Sequence, residues 1–109
     1  MTSLPTEIFG EVMVVHAPEE LGADQAPGVL GYLTGQAQSR VVLDLDNTEL
    51  LDSAGLEALL DAQDRLREAG GDLKIAVSNL VNRKILEITR LDQHLEVFDN
   101  VLDAVKSFR

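Results

Sequence analysis

Residues 41–56 read VVLDLDNTELLDSAGL, and this stretch decides the architecture. Val41, Val42, Leu43 and Leu45 make a nearly continuous apolar run. Such a run predicts a strand over Arg40–Leu45 covered on both faces, as in a parallel sheet. Leu50 and Leu51 carry the apolar character on to Asp52. A helix is then predicted from Ser53 to Ala69, because Leu56, Leu59, Leu60 and Leu66 fall on one stripe with charges elsewhere. Gly70-Gly71 supplies its stop.

On the C-terminal side, Leu73–Val77 reads as another buried strand. Leu80–Leu91 reads as a helix with Val81, Ile85 and Ile88 facing inward. Leu95–Phe98 is a short strand. Asp99 or Asn100 caps a last helix through Phe108 that buries Val101, Leu102 and Val105. On the N-terminal side, Glu7–His16 holds Ile8, Phe9, Val12, Val14 and Val15, which suit two short strands broken at Gly10. A poor helix is expected over Leu21–Gln38. Pro27 tolerates only a first turn, so its regular part begins near Ala26, with Val29, Leu30, Leu33 and Ala37 on one face. The order β-β-α-β-α-β-α-β-α predicts an α/β sandwich with a mixed, mostly parallel sheet of about four to five strands and about four helices. No linker, repeat or low-complexity tract divides the chain, so residues 1–109 are expected to form one domain, with a core over about 7–107.

Composition limits the function. Of 109 residues 45% are hydrophobic, enough for one core, but aromatics are 4% and Trp is absent. A base-stacking platform needs more rings than that. The formal net charge is −10, which disfavours binding to a phosphate backbone. The charge is uneven: residues 1–64 hold twelve acidic side chains and one basic, Arg40, whereas residues 65–109 hold seven acidic and eight basic. An acidic face of this kind suits solubility or a partner with a basic face. No stretch is apolar enough for membrane insertion. Met1–Gly10 has no basic residue and no long apolar run, so no secretory signal is expected. The chain has no cysteine, which excludes disulfides and thiolate metal sites and fits a cytoplasmic location. His16 and His94 lie far apart without ligand spacing, so no metal site is expected. Arg83 and Lys84 read as a solvated helix face.

The junction after the central strand has its own chemistry. Asp52 or Ser53 is placed to cap free backbone N–H groups at a helix start. Gly55 lets another backbone or a nucleotide approach closely. A serine hydroxyl there is reachable, and phosphorylation would add about −1.5 to −2 charges beside Asp52. The helix N-terminus would accept that phosphate with little rearrangement, so the effect would fall on a partner. The plainer alternative is that Asp52 and Ser53 only cap a helix and Gly55 only packs.

The segment resembles the STAS domain family of anti-sigma factor antagonists. Asp44 follows the strand, Leu50-Leu51 are the apolar pair, and Asp52-Ser53-Ala54-Gly55-Leu56 matches the family's Asp-Ser-Ser/Thr-Gly-Leu. Glu68-Ala69-Gly70-Gly71, the run LEITRLD over Leu86–Asp92, Glu96-Val97-Phe98 and Leu102-Asp103-Ala104-Val105 continue the likeness over about residues 8–107. The resemblance implies a protein-binding switch module and not an enzyme. Its expected partner is an anti-sigma factor with serine kinase activity, which would phosphorylate Ser53. The contact face would comprise Asp24, Asp52, Ser53, Ala54 and Gly55. No cofactor is expected of the chain itself, since ATP and Mg²⁺ would belong to the kinase. Ala54 stands where the family often has a second hydroxyl, which leaves Ser53 alone in the motif. It also admits a second STAS role, as an unphosphorylated accessory subunit of an ABC-type lipid transport complex.

Asp44-Leu45-Asp46-Asn47-Thr48 also resembles the first motif of haloacid-dehalogenase-type phosphatases, Asp-x-Asp-x-Thr, with Asp44 as nucleophile and Asp46 as general acid-base. Context argues against it. That strand usually opens a large domain, Glu49 replaces the usual apolar residue, and no later paired-carboxylate motif follows. Asp46 is therefore expected to be solvated and not catalytic.

Overall fold

The computed structural model describes residues 3–108. Two antiparallel strands, β1 (Thr6–Phe9) and β2 (Val12–His16), open the fold around Gly10, whose φ of +63° is the left-handed conformation glycine tolerates. The chain continues through β3 (Glu20–Leu21), α1 (Ala26–Thr34), β4 (Arg40–Asp44), β5 (Leu50–Leu51), α2 (Ser53–Glu68) and β6 (Asp72–Ala76). It closes with α3 (Leu80–Ile88), a 3₁₀ turn at Leu91–Gln93, β7 (Glu96–Phe98) and α4 (Val101–Lys106). Five strands form the main sheet in the order β1-β2-β4-β6-β7, parallel except for β1. The expected mixed α/β sandwich with four helices is the observed one.

Alternation along the strands divides the core. Met13, Val15, Val41, Leu43, Leu73 and Ile75 face Val29 and Leu33 of α1, Leu56, Leu59, Ala62 and Leu66 of α2, and Leu86 of α3. Val12, Val14, Val42 and Ala76 face the other way, against Ala104 of the short α4. Covering both faces explains why β4 is an unbroken apolar run. Lys74 lies beneath α4 with only 7% of its surface exposed. Its ammonium is satisfied by Ser107 Oγ at 2.8 Å and by the Phe108 ring at 4.3 Å, so the cation is paired rather than stranded.

The structure departs from the sequence reading at four places. Leu21 is not helical: Glu20–Leu21 pairs in parallel with Leu50–Leu51 as a separate two-stranded ribbon. Helix α1 ends before Gly35, and Ala37 is exposed beyond it. Helix α3 turns a different face inward. Its buried residues are Asn82 and Leu86, while Val81 and Ile88 are 67% and 70% exposed. α3 packs chiefly on the following 3₁₀ turn, and its burial centres on the i, i+4 pair Asn82 and Leu86, with Ile85 partly buried beside them. It also stops at Ile88, as Arg90 turns left-handed (φ +62°) and Leu91 is buried in the following turn. In α4 Ala104 is buried, Val101 and Val105 pack beside it, and Leu102 is exposed, because the i, i+3, i+4 face of Val101, Ala104 and Val105 meets the sheet and Leu102 lies off it.

The re-assigned face of α3 makes a sharp contrast. Leu86→Ala should cost about 2–5 kcal/mol in urea unfolding, as for a fully buried leucine. Ile88→Ala should change stability by less than about 0.5 kcal/mol. Equal effects would contradict this orientation.

Candidate functional site

The route from β4 to α2 is fixed by bonds to the segment before α1. Thr48 is buried and its hydroxyl donates to the Pro18 carbonyl at 2.8 Å. The Glu49 amide donates to the Glu19 carbonyl at 2.7 Å. Leu50–Leu51 then pairs with Glu20–Leu21, and the Asp52 amide donates to the Leu21 carbonyl at 3.3 Å. This small ribbon delivers Asp52 to the helix start in extended conformation, φ −106° and ψ −177°.

Asp52 is the N-cap. Its Oδ1 accepts the Gly55 amide at 3.0 Å, and its carbonyl accepts the Leu56 amide at 3.0 Å. The amides of Ser53 and Ala54 belong to the first turn, where no intrahelical acceptor exists. Gly55 is demanded by contact: a Cβ there would lie 2.2 Å from the Leu21 carbonyl oxygen. Gly22 meets the same junction from the other side, since a Cβ on it would lie 2.9 Å from Asp52 Oδ2. Two backbones therefore run against each other at the root of α2, with the aspartate wedged between.

The expected site residues fall into place unevenly. Asp52 and Ser53 are exposed, Ala54 is half-buried and Gly55 is buried. Asp24 is exposed on the turn that follows Gly22, the residue touching Asp52. Ser53 thus presents its hydroxyl at the first position of a sixteen-residue helix, beside an exposed carboxylate.

Three residues that sequence reasoning did not assign hold this junction from the far side. Asp46, expected to be solvated, is half-buried, and its Oδ1 accepts the Ser78 amide at 2.6 Å, the Ser78 hydroxyl at 3.1 Å and the Asn79 amide at 3.1 Å. Asn79 caps α3 through the Val81 amide at 2.9 Å. Asn82 is buried, and its Nδ2 donates to the carbonyls of Leu45 at 2.9 Å and Thr48 at 2.8 Å. The available signal for Asn82 was its i, i+4 spacing from Leu86 on α3. For Asp46 the signal was absent, because its donors lie over thirty residues away. Each motif residue of the phosphatase resemblance has an internal partner. Asp44 bonds His16, Asp46 bonds the start of α3, and Thr48 bonds Pro18. The surface beside them is acidic, and Glu49's carboxyl is held above the usual range by its hydrogen bond to Glu19 and by that residue's charge.

A sheet flanked by helices on both faces, with a capped Asp-Ser-x-Gly turn after its central strand, defines a small α/β domain with an exposed helix start. The sequence matches the STAS domain family over residues 3–104, and the chain belongs to that family. A Thermotoga maritima protein named "Putative anti-sigma factor antagonist" is 21% identical over 109 residues, spanning 96% of each chain. The crystal structure of an anti-sigma factor antagonist from Mycobacterium paratuberculosis superposes with a TM-score of 0.84 at 24% identity, over 98% of this chain and 93% of that one. The Bacillus cell fate determinant SpoIIAA in its phosphorylated form gives 0.71 at 15% identity, over 98% and 100%.

The junction geometry yields a ranked pair of effects. Asp52→Ala should cost about 1 kcal/mol, the usual loss for an N-cap side chain. Gly55→Ala should cost more, because its added carbon meets backbone and not a movable side chain. Thermal or urea unfolding of both variants checks the order.

Proposed function

We propose that this protein is an anti-sigma factor antagonist whose partner is an anti-sigma factor with serine kinase activity, and that Ser53 is the residue the kinase modifies. The observation that carries the proposal is the pairing of an exposed Ser53 with a half-buried, hydroxyl-free Ala54 on a helix start held by Asp52 and Gly55. The names of the relatives support the role, and one of the structural neighbours is itself a phosphorylated form.

In this reading Asp24, Asp52, Ser53, Ala54 and Gly55 form the docking tip. The unmodified tip binds the anti-sigma factor and so releases the sigma factor. The Ser53 oxygen then attacks the γ-phosphorus of the kinase's ATP, ADP departs, and the hydroxyl proton passes to a base of the kinase. ATP and Mg²⁺ are the kinase's, and this chain serves as substrate. The added charge of about −1.5 to −2 sits beside Asp52 and removes the fit of the neutral hydroxyl to the acceptor surface. It also meets first-turn N–H groups and the positive end of α2, so the module keeps its fold in both states. A phosphatase resets it. Residence in the cytoplasm, where such a kinase would act, is part of the proposal.

Recovery of partners from the native cell followed by phosphopeptide mapping tests the reading. The expected result is a kinase-type anti-sigma factor that transfers phosphate to Ser53, with transfer lost in Ser53→Ala. Ser53→Asp should weaken the complex at least tenfold, as an unpaired charge desolvated in an interface costs a few kcal/mol. Phosphate mapped to another residue would overturn the assignment of Ser53. Capture of an ATP-driven transport subunit, without modification, would favour the accessory role that Ala54 allows.

A further inference from the structure

On the sheet face that carries α4, beyond the reach of that short helix, His16 lies between two carboxylates from different strands. Its Nε2 is 2.7 Å from Glu7 Oε1 on β1, and its Nδ1 is 2.9 Å from Asp44 Oδ2 on β4. An ionised carboxylate only accepts hydrogen bonds, and a neutral imidazole carries a single N–H. Both contacts are therefore satisfied at once only when the ring holds two protons. Strand register builds the arrangement: His16 pairs with Asp44 across the parallel ladder, while Glu7 lies opposite Val14 in the antiparallel one.

We propose that Glu7, His16 and Asp44 form a proton-gated clasp that ties the edge strand β1 to the parallel sheet while the imidazole is doubly protonated and lets go of Glu7 when it is not. The side that opens is set by burial. Asp44's side chain is 13% exposed, and its second oxygen is taken by the Asp46 amide at 2.9 Å. Glu7's is 55% exposed, so water readily replaces its bond. The one proton left on the neutral ring stays on Nδ1, facing Asp44, and the Glu7 contact is surrendered. β1 pairs only with β2; its start is anchored by Thr6 Oγ1 on the Tyr32 hydroxyl at 2.6 Å, whereas Ile8 and Phe9 are about half exposed, so the clasp is the side-chain tie on the later part of the strand. The charged groups facing the ring are Glu7 from β1 and Asp44 from β4. Neither α1 nor α4, which cover the two sheet faces, brings a charged contact to it among the described residues.

The titration direction agrees with the geometry. The hydrogen bond that His16 donates to Glu7 is the largest influence. With the bond and charge of Asp44, it holds the imidazole above its ordinary 6.5, against the opposing effect of partial burial. A base whose folded pKa is raised stabilises the fold fully below its unfolded value, and that contribution disappears as pH rises through the folded value.

NMR titration of the imidazole in the full chain, run beside amide exchange of Thr6–Phe9, tests the clasp in wild type and in Glu7→Gln. His16 should titrate above about 6.5 in wild type and fall back towards that value in the variant. At pH 6 the β1 amides should be about two- to fivefold better protected in wild type, the scale of a solvent-facing ion pair. The ratio should approach one as pH rises through the wild-type His16 midpoint, with the remaining ring proton on Nδ1. His16→Gln, which keeps a side-chain donor without a titration, should remove the pH dependence of that protection. A His16 midpoint at or below 6.5, or a protection ratio that does not change with pH, would overturn the proposal.

Discussion

The approach of the Leu21 backbone to Gly55 is the contact on which the arrangement of this protein depends. Leu21's carbonyl accepts the Asp52 amide and leaves no room for a side chain on Gly55. That one carbonyl therefore fixes both the end of the ribbon strand and the first turn of the helix. The helix start is held from below by backbone, so its exposed residues need not contribute to packing. Ser53 is exposed there, on a turn that its neighbours position.

A second level of constraint comes from polar groups whose partners are distant in sequence. Asp46 and Asn82 bind the loop after β4 to the start of α3, and Thr48 binds it to the segment after β2. An unpaired carbonyl in that position would carry a desolvation cost of about 1–3 kcal/mol. Two donors from one asparagine relieve two carbonyls together. The junction is consequently held by hydrogen bonds on both flanks.

Much of this was legible in the sequence, for identifiable reasons. The apolar run Val41–Leu45 and the leucine stripe of α2 follow from burial on two faces and on one, so pattern alone located them. The Asp-Ser-x-Gly motif marked the helix start because capping chemistry is local. The ribbon of Glu20–Leu21 with Leu50–Leu51 was not legible, since two residues carry no periodicity and their pairing is tertiary. Of the α3 stripe Val81, Ile85 and Ile88, Ile85 packs on the core while Val81 and Ile88 are exposed, because tertiary packing that no local pattern shows buries Asn82 and Leu86. Asp46 escaped for the same reason as the ribbon: its partners are set by the fold, and nothing beside it in the chain announces them. Site geometry that rests on capping was visible, and site geometry that rests on long-range hydrogen bonds was not.

The central claim is that the docking tip takes on charge without changing its fold. The most direct measurement is the amide ¹H–¹⁵N spectrum of the full chain carrying phosphoserine at residue 53, compared with the unmodified chain. The account predicts shifts confined to the ribbon, the turn at Gly22–Gln25 and the first turns of α2, with β4, β6 and α4 unmoved. Shifts spread across the sheet, or loss of the α2 signals, would contradict it.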